Sequence, residues 1–420
     1  MNFFKCVIFV LITIYSKNSI AQNSIRLQEL ESYLRKNNLQ LLAEQYNIDA
    51  SKAAIIQSKI WSNPYLSGEF NLINPQDKEF LSVGSSGQKA IAIQQLIKLG
   101  GKRKNEVNWA KSNAEIAQLQ FEQLLRNLNN QLGQDFYTLY FERKKNESIS
   151  DQLNELDTLV NAYNIQAMKS NVALKDLVRL QSLQLNLISD KNDLIKHITE
   201  LEQEIRLITG LEADIIPLVK EDELIAKYNR IIFSKDSLLL LAMMNNPELK
   251  STLKMTENQE LFLKWQKSMA TPDLTAGFGY DQRGGAFQNQ INFTFGIPLN
   301  FWNVNKGNIK IAEAQWKQAQ TINEFKKQEF KSKIDAAYKN WNLYNQQMNQ
   351  SLNWTNNSTE VIYESMVTNF SRRNISLMEF TDFMESYTQS VIQINNIKSH
   401  WIQSVLELNH LTNLNIFNSK

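Results

Sequence analysis

Side chains able to do chemistry are few in this sequence and stand far apart. His197, His400 and His410 are the only histidines, and the single cysteine, Cys6, lies near the N-terminus in a segment that we predict is removed. Without a cysteine beside the histidines, we expect no dedicated transition-metal site and no cofactor, and we expect His197 on a helix surface. No grouping combines a nucleophile, a base and an orienting acid. The sequence therefore predicts a protein that is not an enzyme.

Two short motifs invite a chemical interpretation. Gly100-Gly101-Lys102-Arg103 resembles a phosphate-binding loop, but it lacks the spaced first glycine and the Ser or Thr after the lysine, so we predict an ordinary turn. Glu379 and Asp382 are three residues apart and would share one face of a helix. Such a pair would concentrate cations if that face lined a pore, or would lie on a solvated outer face.

The N-terminus has the pattern of a secretory signal peptide. Lys5 precedes an apolar run from Cys6 to Tyr15, and small residues surround Ala21, so we predict a signal peptide at 1–21 cleaved after Ala21. The alternative, a short membrane anchor, would need a longer apolar run. Lys5 stands before Cys6 where a lipoprotein site has small residues, so we expect no lipid anchor.

Composition and hydropathy limit the remaining possibilities. The chain has 420 residues, of which 43% are hydrophobic and 21% charged, ample for a folded protein. Loss of the signal peptide lowers the formal net charge from +2 to zero, which leaves no basic footprint for nucleic acid. The longest later apolar run, Leu238 to Met244, is far too short for a membrane helix. If the protein spans a membrane, it must use strands.

Glycine and proline divide the chain into helical tracts and hairpins. Neither residue occurs after Gly307, and only Gly133 interrupts the tract from Lys102 to Thr209, so both tracts predict very long helices. Apolar residues spaced alternately by three and four predict supercoiled seams in them. Those seams comprise Val107, Ala110, Ala114, Ala117, Phe121, Leu124 and Leu128; Phe330, Ile334, Ala337, Trp341, Tyr344 and Met348; and, on the return stretch, Leu194, Ile198, Leu201, Ile205 and Ile208.

Between the helical tracts, periodicity switches to alternation at 64–101 and 272–298, which predicts two β-hairpins. One face of the later hairpin is apolar and the other is small or polar, while the earlier hairpin shows this less cleanly. Each strand is about nine residues, the length that a tilted strand needs to cross a bilayer.

The chain also repeats itself. Asn37-Asn38-Leu39-Gln40-Leu41 matches Asn245-Asn246-Pro247-Glu248-Leu249, and Asn171-Val172-Ala173-Leu174 matches Asn374-Ile375-Ser376-Leu377. We therefore predict that the order helix, hairpin, long helix and return helix occurs twice along the chain. The first repeat is placed at 22–210, a connector at 211–235, and the second repeat with the C-terminal segment at 236–420.

Four strands cannot close a barrel, and open edges would leave backbone groups unsatisfied in lipid. An eight-stranded barrel is filled by its own side chains, whereas three chains give twelve strands and room for a channel. Each long helix covers about 60 residues, or roughly 90 Å. We expect a tunnel that spans a compartment.

Here the sequence resembles the TolC family of outer-membrane efflux channels. The junction residues Leu99-Gly100-Gly101-Lys102-Arg103, the second junction Asn305-Lys306-Gly307, and the turn from Arg373 to Asp382 carry the resemblance, together with the duplicated order. It implies a homotrimer with a 12-stranded β-barrel in the outer-membrane lipid and an α-helical barrel in the periplasm. Arg373 departs from the family's usual glycine, and Thr381 from its usual aliphatic residue.

The resemblance also implies partners and roles. The family forms the exit duct of tripartite efflux pumps and type I secretion systems, joined to an inner-membrane transporter through a periplasmic adaptor. By matching position, Glu379 and Asp382 would ring the periplasmic entrance, and the first repeat has Asp176 and Arg179 there instead. The helix-turn tips at Ser170, Asn171, Arg373 and Asn374 would contact the adaptor.

Three alternatives stay open at this stage. The aromatic residues Trp61, Tyr65 and Trp302 beside the hairpins suit either a membrane interface or packing at the junction. The run Glu142-Arg143-Lys144-Lys145 suits either a docking patch or a solvated helix face. For the whole chain, the alternative is a secreted coiled-coil structural protein or adhesin with the hairpins as small caps.

Overall fold

The computed structural model describes residues 24–417, apart from 74–77, 86, 232, 285 and 356–358. For residues 353–360 it does not describe the side chains. The predicted signal peptide, residues 1–21, lies outside the described residues. So does Gly285, which the sequence places in the turn of the later hairpin.

The described residues form ten helices and six strands. The helices are α1 Leu27–Asn37, α2 Leu39–Lys59, α3 Lys102–Met168, α4 Leu174–Thr209, α5 Glu221–Tyr228, α6 Lys235–Asn245, α7 Pro247–Ser268, α8 Lys306–Thr355, α9 Thr359–Ser371 and α10 Leu377–Thr412. The strands are β1 Ser24–Ile25, β2 Tyr65–Phe70, β3 Gln88–Ile97, β4 Ile216–Pro217, β5 Leu274–Arg283 and β6 Phe287–Gly296. None of these helices has the combination of length and apolar character required for crossing a membrane.

The helix bounds repeat with the offsets seen in the sequence. Adding 208 to the bounds of α1 gives those of α6, and adding 203 to those of α4 gives those of α10. A matching asparagine closes each repeat: the Asn38 side chain donates to the carbonyl oxygen of Ile208 (2.9 Å), and the Asn246 side chain donates to that of Leu411 (3.0 Å). Each asparagine therefore ties the break between two short helices to the end of the return helix.

One compact unit comprises residues 24–41, 124–246 and 331–417. One hydrophobic cluster of this unit joins α3, α4, α9 and α10 through apolar side chains at spacings of three and four. The buried members are Ile149, Leu153, Leu156, Leu180, Leu183, Leu187, Tyr363, Phe370, Phe380 and Met384. Strands β1 and β4 form a small parallel pair in the same unit.

The other compact unit comprises residues 42–123 and 247–330 and contains the larger sheet. The four strands run in the order β2-β3-β5-β6, and every neighbouring pair is antiparallel. Both predicted hairpins are therefore confirmed, and β3 and β5 join them into one sheet whose edges are β2 and β6.

Burial confirms the predicted helical seams on α4 and α8, and confirms the seam on α3 in part. Three of the seven seam residues on α3 are buried and the other four are partly buried, whereas four of the five on α4 are buried, namely Ile198, Leu201, Ile205 and Ile208. On α8, five of the six seam residues are buried, namely Phe330, Ile334, Ala337, Trp341 and Met348. The alternating spacing of three and four thus identified the packed face of α4 and α8, and part of that of α3.

Candidate functional site

Register across the four strands gathers the apolar side chains on one face of the sheet. Leu66 pairs with Ile93, Ile93 with Phe278, and Phe278 with Phe293, so these four form one row across the sheet. The next row runs from Gly68 through Ile91 and Tyr280 to Ile291. Because side chains alternate along a strand, the residues between these rows point to the opposite face.

The opposite face carries small and polar residues. One of its rows is Ser67, Ala92, Gly279 and Asn292, and another is Tyr65, Gln94, Gly277 and Thr294. Close packing favours glycine at position 277, because a β-carbon there would lie 2.4 Å from the carbonyl oxygen of Ile93. The alternation that the sequence showed clearly only for the later hairpin therefore extends across both.

The apolar face is open in the single chain. Phe278 and Phe293 are each 60% exposed, and Leu66 is 69% exposed, although the two phenylalanine rings lie only 5.3 Å apart between centroids. A contiguous exposed apolar face of this kind is far more than the isolated hydrophobic residues that protein surfaces normally carry. It requires an apolar environment.

The first junction, between β3 and α3, is a tight turn held by one carboxylate. Asp273 Oδ1 accepts hydrogen bonds from the Leu99 backbone N–H (3.0 Å) and from Lys102 Nζ (2.7 Å). Gly100 has a φ of +65°, and a β-carbon there would lie 2.6 Å from Thr271 Oγ1. The predicted turn is confirmed, and its lysine is buried in an ion pair.

Arg103 and the nearby aromatic residues complete this junction. The Arg103 guanidinium lies 3.9 Å from the centroid of the Trp61 ring, while Trp302 is 94% exposed. Packing at the junction therefore fits Trp61, whereas a membrane interface for Trp302 stays a prediction. At the second junction, Asn305 rather than Gly307 has the left-handed backbone, and its side chain donates to the carbonyl oxygen of Gln266 (2.8 Å).

The two helix-turn tips have the same construction. Ser170 and Arg373 have φ values of +59° and +62°, and the asparagine after each closes the turn. The Asn171 N–H donates to the Gln166 carbonyl oxygen, and the Asn374 N–H to that of Asn369, both at 2.9 Å. All four predicted tip residues are exposed or partly exposed. Arg373 thus occupies a backbone conformation that glycine adopts without strain.

The carboxylate pair lies at the start of α10. Glu379 forms a capping box with Ser376: the Glu379 N–H donates to Ser376 Oγ (3.2 Å), and Glu379 Oε2 accepts from the Ser376 N–H (2.8 Å). The backbone hydrogen bond from Ser376 lowers the pKa of Glu379. Asp382 is also exposed, whereas Phe380 and Thr381 face the core. The pair therefore shares the exposed face of α10, open to a pore or to bulk water, and Glu379 has a structural role besides.

Of the predicted alternatives for the charge run at 142–145, a solvated face is wrong for Glu142 and Lys145, which are buried, whereas Lys144 is exposed and the docking patch stays a prediction. Lys145 is 5% exposed and donates to Glu142 Oε1 (2.8 Å) and Asn396 Oδ1 (2.9 Å). The remaining members pair with distant residues, Arg143 with Glu202 and Lys144 with Glu221. Packing of α3 against the other helices therefore buries Glu142 and Lys145 and gives every member of the run an ion-pair partner.

Glu221 forms ion pairs with two lysines. Burial alone would raise its pKa, but hydrogen bonds from Lys144 and Lys398 lower it to about 2. Lys398 Nζ lies 2.7 Å from Glu221 Oε2. Sequence reasoning missed this site because its charges come from α3, α5 and α10.

His197 lies on the exposed surface of α4, as predicted, 3.4 Å from Glu142 Oε1. Within the part of the chain that the structure describes, no three His, Cys, Asp or Glu side chains are grouped so that they could hold a metal ion.

A duplicated chain that combines a four-stranded antiparallel sheet, apolar on one exposed face, with long helical hairpins has the fold of the TolC-like outer-membrane channels. The fold matches the Campylobacter jejuni CmeC outer membrane channel at a TM-score of 0.72 and 14% identity, over 94% of this chain and 87% of that one. CusC, whose structures concern folding and transmembrane channel formation, matches at 0.72 and 14% identity, over 92% and 91%. VceC of Vibrio cholerae matches at 0.70 and 12% identity, over 92% and 95%.

By sequence, the chain is similar to the cobalt-zinc-cadmium resistance protein CzcC of Cupriavidus metallidurans, with 23% identity over 304 residues, 71% of this chain and 69% of that protein. No protein-family model matches the chain. The fold expected from the sequence is thus confirmed by the structural likeness.

Proposed function

We propose that this chain is one subunit of an outer-membrane efflux channel, the exit duct for material exported by an inner-membrane transporter through a periplasmic adaptor. The observation that carries the proposal is the apolar face formed in register by all four strands, from Leu66 on β2 to Phe293 on β6. Lipid is the environment that such a face requires, and a signal peptide at 1–21 would deliver the chain past the inner membrane.

The edges of the sheet explain why the channel is a homotrimer. Strands β2 and β6 each have one neighbour in the described chain, and an unpaired edge in lipid leaves backbone groups unsatisfied. Pairing β2 of one copy with β6 of the next closes the barrel. Three copies give twelve strands, enough to leave an aqueous lumen lined by the small and polar face.

The rest of the chain serves the duct in the periplasm. The repeats at 22–210 and 236–420, joined by the connector at 211–235, supply its helical wall. The tips at Ser170, Asn171, Arg373 and Asn374 contact the adaptor, and Glu379 with Asp382 rings the entrance. The alternative, a secreted coiled-coil protein or adhesin, finds no support in the relatives described above, which are channel proteins.

Oligomeric mass and conductance test the proposal together. The purified protein should require detergent, form a heat-sensitive trimer and conduct ions in a planar bilayer. A stable monomer or dimer, or a protein that fractionates without detergent, would refute the channel.

Selectivity tests the carboxylate pair within such a channel. A Glu379→Gln/Asp382→Asn double variant should weaken cation selectivity and block by multivalent cations, because three copies would remove six carboxylates from a narrow mouth. Glutamine at 379 can still complete the capping box, so the variant removes charge while keeping the helix start. Unchanged selectivity would place the pair on the outer face.

The adaptor contact is tested by crosslinking in cells. The only cysteine, Cys6, lies in the predicted signal peptide, so a cysteine at Ser170 or Asn374 would be unique in the mature chain. It should crosslink to a periplasmic protein, whereas Ser32→Cys, an exposed control on α1, should not. Equal capture by all three variants would contradict a contact at the tips.

A further inference from the structure

A cleft of about 550 Å³ opens beside the first junction, between the segment before β2 and the start of α3. Its lining is dominated by positive charge, and none of the described residues that line it is acidic. The cations that line it are Lys59, Lys98, Arg103, Lys104 and Lys111.

Most of that charge is uncompensated. Among the residues that the structure describes, only Lys98 of these five has an ion-pair partner, Glu106 at 3.1 Å. Arg103 stacks over the Trp61 ring, which leaves the edge of its guanidinium free to donate hydrogen bonds. Helix α3 begins at Lys102 and adds the positive end of its dipole at the same place. Like charges held together on an open surface attract an anion.

The strand that borders the cleft shows which side of the sheet the cleft occupies. Leu96, near the end of β3, lines the cleft and pairs with Thr275. Because side chains alternate along a strand, Leu96 lies with Ala92 and Gln94 on the small and polar face. In the proposed channel that face lines the aqueous lumen, so a ligand of the cleft comes from water and not from lipid.

The cleft also has an apolar wall. Ile60 and Trp61 line it together with Leu96, and Ile60 and Trp61 are 51% and 58% exposed. Small-molecule sites of this size combine apolar surface with a few polar groups that fix the ligand. A purely inorganic anion would leave the apolar wall in water, whereas an anion with an apolar body would cover it.

The second junction lacks this arrangement. Helix α3 begins Lys-Arg-Lys-Asn, whereas α8 begins Lys-Gly-Asn-Ile. When the buried residues Ala110 and Ala312 are aligned, Lys111 corresponds to Glu313. The positive cluster is thus a property of the first repeat alone and has no counterpart that the duplication would explain.

We propose that the cleft binds an amphiphilic organic anion from the aqueous lumen. The phosphate or carboxylate group of the ligand contacts the cations at the start of α3, and its apolar body lies against Trp61 and Leu96. The inference rests on the proposed function, because the small and polar face lines a lumen only if the sheet closes into a barrel. Such a lumen also opens to the exterior, so an anion reaches the cleft without passing the carboxylates at the entrance. A trimer would hold three such anions, one per chain.

Isothermal titration calorimetry of the detergent-solubilised trimer at low ionic strength tests the inference, with 1-naphthyl phosphate and inorganic phosphate as probes. The wild type should bind up to three molecules of 1-naphthyl phosphate per trimer, and more tightly than inorganic phosphate, because the naphthyl ring covers the apolar wall. An exposed ion pair contributes up to about five-fold to binding, so Lys104→Gln/Lys111→Gln should weaken binding of 1-naphthyl phosphate about ten-fold. The control Lys310→Gln/Lys317→Gln, two exposed lysines on α8, should bind as the wild type does.

Three results would overturn the inference: equal affinity for the two probes, which would make any phosphate the ligand, wild-type binding by the cleft variant, or equal weakening by the control. Conductance of the same preparation separates this inference from the proposed function. A conducting trimer that does not prefer 1-naphthyl phosphate overturns only the anion site, whereas a protein that neither trimerises nor conducts overturns both.

Discussion

Replacing Phe293 by arginine tests the orientation of the sheet most directly. The side chain lies in the apolar row with Phe278 and is 60% exposed, so little packing within the chain is lost when it changes. What the substitution alters is the medium that this face contacts. If the medium is lipid, a guanidinium there is costly.

If the sheet spans the outer membrane as proposed, this position lies near the middle of the bilayer. Phe293 is four residues before Ile297, just past the end of β6. At about 3.4 Å per residue and a tilt near 40°, those four residues rise roughly 10 Å along the membrane normal. The apolar band of a membrane barrel is about 25 Å tall, so Phe293 lies within a few ångströms of the midplane. Phe293→Arg should therefore cost about 2–4 kcal/mol per chain, or about 6–12 kcal/mol per trimer.

The matched control is the neighbouring residue on the other face. Asn292 pairs with Gly279 in the small and polar row, so Asn292→Arg should cost about 1 kcal/mol or less if that face lines water. Urea titration of each variant refolded into phosphatidylcholine vesicles measures both costs, and electrophoresis of unheated samples reports the trimer. Equal losses for the two variants, or a larger loss for Asn292→Arg, would refute the assigned orientation.

Three further predictions concern stability in solution. Burial, with a contribution from the Glu204 carboxylate, raises the pKa of Asp135 from 3.8 to about 7. Asp135→Asn should therefore stabilise the protein by about 1–2 kcal/mol at pH 8, after allowance for partial solvent exposure, and thermal melts should show this gain shrinking below pH 7 and gone by pH 4. The lowered pKa of Glu221 affects stability in the opposite direction, because here the ionised carboxylate stabilises the fold. That stabilisation is present above pH 4.5 and is lost as the pH falls through about 2. Glu221→Gln should cost about 1–2 kcal/mol at pH 7, with the same allowance for exposure, and almost nothing at pH 2, which acid titration followed by circular dichroism will check. Arg373→Gly should leave the melting temperature unchanged or raise it slightly, because relief of about 1 kcal/mol of left-handed strain offsets the flexibility of glycine, whereas Arg373→Val should lower it.

The elements that carry the proposed function could be predicted where they depend on local pattern. Alternating residues such as Ile291 and Asn292 define a strand with two unlike faces, because the side-chain period of a strand is two. Seam residues such as Ile334 and Trp341 define the packed face of a helix in the same way. The duplicated asparagines, Asn38 and Asn246, marked the repeats before their hydrogen bonds were known.

Roles that depend on distant partners could not be predicted. Lys102 belongs to a motif that resembles a phosphate-binding loop, but its partner is the carboxylate of Asp273. Because Asp273 is 171 residues away in the chain, local sequence could not reveal this ion pair. Glu379 was expected to act through its charge, yet its cap depends on the rotamer and backbone of Ser376. The lysines from Lys98 to Lys111 form a cleft only because the segment before β2 folds back beside them.

By itself, then, the sequence determined the helices, the hairpins, their duplication and the apolar face, since each follows from periodicity and from the backbone preferences of glycine and proline. Tertiary structure decided which charges are buried and which are free. Lys145 belongs to a run that its charge would place in solvent, yet it is buried, while Lys104 and Lys111 face an open cleft. Charge in a sequence is local, whereas the burial that sets its energy is created by segments that meet only on folding.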